Sequence, residues 1–361
     1  MNTPLITLII PTYRRPQFLK RAIRSVLLQT FPNFTLLIVD NASGKETEEV
    51  IREFMQQDPR IKMLKHSKAI RVAANFQSGL EATTTPYVAF LPDDDFLGPT
   101  FFAEALKGFE LYQDIAFSGA QDNIWIDQEN IATIYCPKPS PLPGYYPPPK
   151  GFVFYVGNSI KIPLPSALFK TDILKKIGGF DMNIHTSIDG DLIGRCSMLF
   201  PIYLFTNNHL YFFYQNPESV TNHGNVSFNE EDCRRLHENL LSLSQSKEIE
   251  AIINGLFEYK ITALWEKTVK HFLKTKNFSQ ASIYAEKLCA FANSPQRNRW
   301  KKQALLFERA SPIGSLYLLL KGFERGLRKT FKKKKEKKTM LPEHPEAAYW
   351  KEYALFLEQP Q

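Results

Sequence analysis

The feature that most constrains this chain is a repeated alternation across its first hundred residues. Short apolar runs rich in β-branched side chains switch with segments whose apolar residues recur at helical spacing. "LITLIIPTY" (5–13), "FTLLIVDNAS" (34–43), "IKMLKH" (61–66) and "YVAFL" (87–91) read as strands. Between them, "RPQFLKRAIRSVLLQT" (15–30), "TEEVIREFMQQD" (47–58) and "VAANFQSGLEAT" (72–83) read as amphipathic helices; the first carries Phe18, Leu19, Ile23, Val26 and Leu27 on one stripe. Runs apolar on both faces need cover on both faces. Strand–helix repetition supplies it as a parallel sheet between helical layers, so the expected class is α/β.

In such a sheet, ligands sit beyond the carboxyl ends of the strands. Polar residues cluster there: Thr12, Tyr13 and Arg14 after the first strand, then Asp40 and Asn41, then Asp93, Asp94 and Asp95. Three adjacent carboxylates repel one another and favour no strand. They make either a solvated turn or a place for a cation, and their position at one sheet edge with two other polar clusters favours the cation.

The middle reads differently. "CPKPSPLPGYYPPPKG" (136–151) is dense in proline and reads as a long loop. Residues 151–181 read as strand-like runs and a short helix ending on Gly178–Gly179. "SIDGDLIGRCSML" (187–199) reads as a helix with an acidic first turn and Ser187 as N-cap. "IYLFTNNHLYFFYQN" (202–216) reads as a strand pair around an Asn–Asn turn. From about residue 228 only long helical patterns follow. Three regions result: an α/β domain over 1–226, a helical domain over 227–326, and a polybasic tail with a short terminal helix over 327–361.

The chain has 361 residues, 43% of them hydrophobic and 23% charged, which fits a globular protein and not a disordered one. The segment "LRKTFKKKKEKK" (327–338) holds eight lysines and arginines and one glutamate, nearly the whole of the net charge of +8. The body is therefore close to neutral and no nucleic-acid partner is expected. The four cysteines have no metal-type spacing and read as reduced thiols. No run is long and apolar enough to span a bilayer, and the opening residues read as no signal peptide, so a cytoplasmic location is expected.

With these motifs placed, the sequence resembles the family 2 glycosyltransferases of GT-A fold, over roughly residues 4–225. The resemblance is carried by "TLIIPTYRRPQFLKRAIRSVLLQTF", "LLIVDNAS", "AANFQSGLEATTTPYVAFLPDDDFLGP", and "GGFD" followed by "SIDGDLIGR". It implies a GT-A domain followed by a mainly helical one, and inverting transfer of a sugar from a nucleotide diphosphate donor. It also implies a divalent metal, Mn2+ or Mg2+, with oxygen ligands to neutralise the leaving diphosphate. Carried over residue by residue, Asp95 and Asp94 become metal ligands, and Asp93 reaches the donor ribose or the metal. Pro92 stands where the family's motif often has its first acid. Pro11, Thr12, Tyr13, Arg14, Asp40 and Asn75 become donor contacts; Asp40 accepts from base or ribose, or merely caps its turn. The family's N-x-G is replaced by "SKAIR", which leaves Lys68 and Arg71 as diphosphate contacts or as a solvated basic face.

The resemblance puts the catalytic base at the start of the later helix, with Ile188 where a glutamate is usual. Asp189 falls on the base, and Asp191 is the competing candidate. His223 follows the segment where related enzymes place metal- or diphosphate-proximal residues, and counts as a candidate metal ligand. His185 is an acceptor-side candidate, and Trp125 with Tyr145 and Tyr146 could stack on sugar. The implied acceptor is a glycan or a lipid-linked one in bacterial surface polysaccharide assembly. An apolar helical stretch running into the 327–338 basic cluster suits peripheral contact with the inner face of the cytoplasmic membrane. Oligomerisation is left open. Two competing readings are a nucleotidyltransferase, which would carry a Gly-rich loop absent from "PTYRRPQ", and a sugar-nucleotide-binding scaffold without transfer activity.

Overall fold

The structure is a computed structural model. It describes residues 3–120, 124–127, 134–135, 143–156, 162–205, 211–215, 230–291, 353 and 356–357. The expected alternation is present: β1 (Ile6–Thr12), α1 (Pro16–Leu27), β2 (Phe34–Asp40), α2 (Lys45–Gln57), β3 (Ile61–Lys65), α3 (Val72–Ala82) and β4 (Tyr87–Phe90). There follow β5 (Phe96–Leu97), α4 (Phe101–Leu111), β6 (Phe117–Ala120), β7 (Ile124–Asp127), β8 (Ile134–Tyr135), β9 (Gly144–Tyr146) and α5 (Lys150–Val156). Then come β10 (Ala167–Lys170), α6 (Thr171–Lys176), α7 (Ile188–Leu199), β11 (Ile202–Phe205) and β12 (Tyr211–Gln215). Three helices complete the described chain: α8 (Glu230–Leu241), α9 (Lys247–Lys274) and α10 (Phe278–Phe291).

The main sheet has eight strands in the order β3-β2-β1-β4-β10-β6-β11-β9. Its first half is parallel, with β1 paired to β2 and β4, while β10 runs antiparallel to both β4 and β6. Successive strand residues serve opposite layers, which explains the unbroken apolar runs. Ile6, Leu8 and Ile10 join the core beneath α1, α2 and α4 with Leu19, Ile23, Phe54 and Phe102. Ile9, Leu37 and Val39 join the opposite layer with Phe76, Leu80, Leu192 and Ile193 from α3 and α7. Gly79 of α3 lies so close to Ile9 and Val39 that a Cβ there would overlap them. That contact sets α3, and with it Asn75, tight against the sheet.

Three expectations are corrected. The segment 202–216 is no hairpin: β11 joins the main sheet beside β6 and β9, while β12 pairs with β5 and β7 in a second, four-stranded sheet. Within the proline-dense stretch, Gly144–Tyr146, which holds no proline, forms the β9 edge strand. Residues 150–156, strand-like in composition, fold as α5, because packing of Phe152 in the core overrides β propensity.

The chain divides into two compact units. One comprises 1–227, 238–249 and 345–361; the other comprises 228–237 and 250–344. The second has its own core, in which α9 contributes Ile261, Trp265, Val269 and Leu273 at four-residue spacing against Ala281, Ala285 and Leu288 of α10. No helix among the described residues is long and apolar enough to cross a membrane.

Candidate active site

The carboxyl ends of β1, β2 and β4 meet at one edge, as their parallel register requires. They are laced together there. The Asn41 N–H donates to the Thr12 carbonyl, and that of His66 to the Asp40 carbonyl. The Asn41 side chain makes a reciprocal pair with the backbone of Ile70, donating at 2.9 Å and accepting at 2.8 Å. Two non-glycine residues at these strand ends, Arg14 (φ 56) and Ala42 (φ 57), are held in the left-handed region. Backbone strain of this kind survives only where the surroundings over-determine it, which is common at functional sites.

Asp40 is fully buried; its Oδ1 accepts from the Ser43 N–H at 3.0 Å, and its Oδ2 is buried with no partner. Asn75, on the first turn of α3, donates through Nδ2 to the Val39 carbonyl at 3.3 Å, and its Oδ1 is likewise buried and unpartnered. Leaving a buried acceptor unmade costs about 1–3 kcal/mol. Two such acceptors stand on adjacent elements, and a ligand rich in N–H or O–H donors would satisfy them. Asp40 thus both caps its turn and keeps one oxygen free. Tyr13 and Arg14 are exposed beside it, with the Arg14 guanidinium over the Tyr13 ring at 4.9 Å; Pro11 is half-buried. Lys68 and Arg71 are exposed.

The three aspartates after β4 are buried, so they are no solvated turn. Thr12 donates to Asp93 Oδ2 at 2.7 Å, and Arg15 Nη1 reaches Asp93 at 3.3 Å and Asp94 at 3.0 Å. One guanidinium is thus shared by two carboxylates. Burial, and next the negative charge of Asp94, push Asp93 up to about 6 against the opposing pull of Arg15 and Thr12. Asp95 Oδ2 accepts a hydrogen bond from the Tyr211 hydroxyl at 2.7 Å, which ties β12 to the triplet.

The acid loop is gripped by a polar stripe, on α1 and just past its end, that pattern reading of that helix overlooked. Arg21, Ser25 and Gln29 recur every four residues and are all buried. Arg21 Nη2 donates to the Asp94 carbonyl at 2.5 Å. Ser25 Oγ accepts from the Leu97 N–H at 3.2 Å; Gln29 donates to the Gly98 carbonyl at 2.7 Å and accepts from the Phe102 N–H at 3.0 Å. The signal was present as R-x-x-x-S-x-x-x-Q beside the apolar stripe.

The two acids of α7 part company. Asp191 is fully buried. Its Oδ2 accepts from Arg195 Nε at 2.8 Å and Nη2 at 2.6 Å, and its Oδ1 from Asn239 at 2.9 Å. The same Arg195 donates to the carbonyls of Ile177 and Gly179, and Asn239 also donates to Asp181. Gly178 (φ 85) and Gly179 (φ 65) sit in the left-handed region that glycine tolerates. Asp191 therefore braces the "GGFD" loop. Asp189, two residues earlier on the helix, is exposed. Ser187 occupies the N-cap, but its side chain makes no capping bond; its carbonyl accepts from the Asp191 N–H.

Tyr211 links the two acid sites. Burial, then the charges of Asp95, Asp94 and Asp189, push its phenol well above the ordinary range, so it stays a donor. A single hydroxyl thus feels the triplet and Asp189 together. His185 is half-buried. His223, the Trp125 side chain and the 327–338 run lie outside the described residues. Among the described residues, no group of three or more His, Cys, Asp or Glu side chains is arranged to hold a metal ion. The donor chemistry of the triplet, all oxygen, with one arginine for two carboxylates, nevertheless suits a hard divalent cation.

Among known proteins, the chain is similar to glycosyltransferases. The chain is 28% identical over 198 residues to an uncharacterized glycosyltransferase of Methanocaldococcus jannaschii, a stretch covering 54% of this chain and 66% of that one. It is 32% identical over 95 residues to the GalNAc(5)-diNAcBac-PP-undecaprenol beta-1,3-glucosyltransferase of Campylobacter jejuni, covering 26% and 31% of the two chains. It thus spans less than two thirds of these relatives' own length. Among solved structures, it is similar to S. aureus TarS 1-349 in complex with UDP-GlcNAc (TM-score 0.56, 14% identity, 79% of this chain and 80% of that one). It is also similar to the mannosyltransferase PcManGT from Pyrobaculum calidifontis in complex with GDP-Man and Mn2+ (TM-score 0.53, 14% identity, 99% and 85%). Residues 7–154 match the family model described as glycosyl transferase family 2, which takes in most of β1 through most of α5 and hence both the polar strand ends and the acid triplet. Residues 7–154 are thus similar to the family 2 glycosyltransferases, and the chain has the GT-A fold followed by helices.

Proposed function

We propose that this chain transfers a sugar, with inversion, from a nucleotide diphosphate donor to a glycan or lipid-linked acceptor in bacterial surface polysaccharide assembly. The observation that carries the reading is the pair of buried, unpartnered acceptors, Asp40 Oδ2 and Asn75 Oδ1, at the sheet edge that also holds the acid triplet. A nucleoside supplies the matching donors through ring N–H and ribose hydroxyls. Pro11, Thr12, Tyr13 and Arg14 flank it. Asp95 and Asp94 are the residues suited to hold a divalent ion, with Asp93 oriented by Thr12 and Arg15. When bound, such an ion supplies Lewis-acid neutralisation of the diphosphate.

Asp189 then acts as the base. Its carboxylate takes the acceptor hydroxyl's proton as that oxygen forms a bond to the anomeric carbon. The bond from that carbon to the diphosphate oxygen breaks on the opposite face, and the nucleoside diphosphate leaves with the electron pair. Asp191 keeps the helix start and the Gly178–Gly179 loop in place. The acceptor class is supported by the Campylobacter relative, whose name describes an undecaprenol-linked acceptor. The basic run 327–338 fits contact with an anionic membrane surface.

The test is calorimetric titration of UDP, GDP, CDP and dTDP with and without Mn2+, followed by transfer assays with the sugars of the nucleotide that binds. Binding of one diphosphate and a product of inverted anomeric configuration would support the reading. Absence of binding by all four would overturn it, and binding without any turnover would favour the non-catalytic scaffold.

A further inference from the structure

The second sheet carries a contact that neither the donor pocket nor the catalytic acid accounts for. Tyr353, within segment 345–361, is buried and donates its hydroxyl to the Leu97 carbonyl at 3.0 Å. Its ring lies 6.2 Å from that of Phe96 and 6.4 Å from that of Phe212. Those two rings stack on each other at 4.6 Å with planes 8° apart. Leu357 is fully buried, and its carbonyl accepts from Arg24 Nη1 of α1 at 2.9 Å.

Phe96 immediately follows Asp95, and Phe212 immediately follows Tyr211, the donor to Asp95. The register pairs Phe212 with Phe96 and Tyr211 with Leu97. Tyr353 therefore grips the two-strand ladder that Asp95 and Tyr211 adjoin. β5 is only two residues long, too short to hold an orientation by its own ladder. We propose that Tyr353 is a positioning residue for the donor site, with Leu357, four residues on, tied to α1: by holding β5 to β12, Tyr353 fixes where the Asp95 carboxylate points. This rests on the reading of Asp95 as a ligand for the diphosphate's cation.

The experiment compares Tyr353→Phe, Tyr353→Ala and Leu357→Asp with the unaltered full-length chain. Calorimetry measures uridine, guanosine, cytidine and thymidine alone, and their diphosphates with Mn2+; hydrogen exchange measures residues 94–98. Tyr353→Ala and Leu357→Asp should speed exchange at 94–98 and weaken Mn2+-dependent diphosphate binding about tenfold, with nucleoside affinity unchanged. Tyr353→Phe, which keeps the rings and loses one hydrogen bond, should fall between. A merely structural role would weaken nucleoside and diphosphate binding alike. Unchanged exchange in Tyr353→Ala would overturn the clamp, whether or not a nucleotide binds. If exchange quickens but the unaltered chain binds no diphosphate, the clamp stands and the donor-site reading fails.

Discussion

At the scale of single residues, the site is built from side chains whose burial and function pull in opposite directions. Asp40 is the plainest case: a fully buried carboxylate with one oxygen spent on Ser43 and the other without a partner. Asp40→Asn would exchange a buried charge for an isosteric amide. It should leave thermal stability equal or higher, while nucleoside affinity falls by about tenfold or more, because an acceptor lobe becomes a donor; melting curves and calorimetry on the same variant check both. The α7 acids give a paired prediction. Asp191→Asn removes the charge facing a buried Arg195 and should cost about 3–5 kcal/mol in denaturant unfolding. Asp189→Asn, on an exposed side chain, should leave unfolding unchanged and lower turnover by about a hundredfold or more. Equal stability losses in the two variants would contradict the separation of their roles.

At the scale of elements, the strands and helices of the first hundred residues were legible because their apolar periods are clean. The strand ends were legible too, since polar clusters there break an otherwise apolar pattern. The helix of 150–156 was not, because "GFVFYV" suits either element and only its packing around Phe152 decides. Neither was the assignment of β12 to a second sheet: two apolar runs around Asn207–Asn208 look like a hairpin, and their separation depends on the long-range pairing of Tyr211 with Leu97. The polar stripe of α1 was missed for a related reason. Its partners are backbone groups about seventy residues away, which no local pattern shows. Gln29→Leu should therefore cost about 1–3 kcal/mol, since it strands the Phe102 N–H and removes one of two donors to the Gly98 carbonyl. The loss should appear in hydrogen exchange at 98–102 before it appears elsewhere.

At the scale of the molecule, the two units carry separate cores and respond to different conditions. In the helical unit, Glu230 accepts from Arg234 at 2.9 Å, Trp265 at 3.0 Å and Lys287 at 3.1 Å. Burial raises its pKa, and these three bonds together outweigh that, bringing it down to about 2. A folded pKa below the unfolded value means that the associated stability is complete above about pH 4.5 and is lost as pH falls toward 2. With solvent screening of a partly exposed group, about 1–2 kcal/mol is at stake. Denaturant unfolding of the helical signal across that window should show the loss, and Glu230→Gln should flatten it.

The tie between Asp95 and Tyr211 also has a consequence for biosynthesis. The two residues are 116 apart in the chain, and Tyr353 lies 256 beyond Leu97. At roughly 5–20 residues per second of translation, Asp95 waits about 6–23 seconds on the ribosome for its hydroxyl partner. The buried acceptors of Asp40 and Asn75 are synthesised before Asp95 is anchored. Protease cutting beside Leu97 in arrested nascent chains should be fast until Tyr211 has emerged and slow afterwards. The order in which a ribosome delivers this chain is thus the order in which its site is finished.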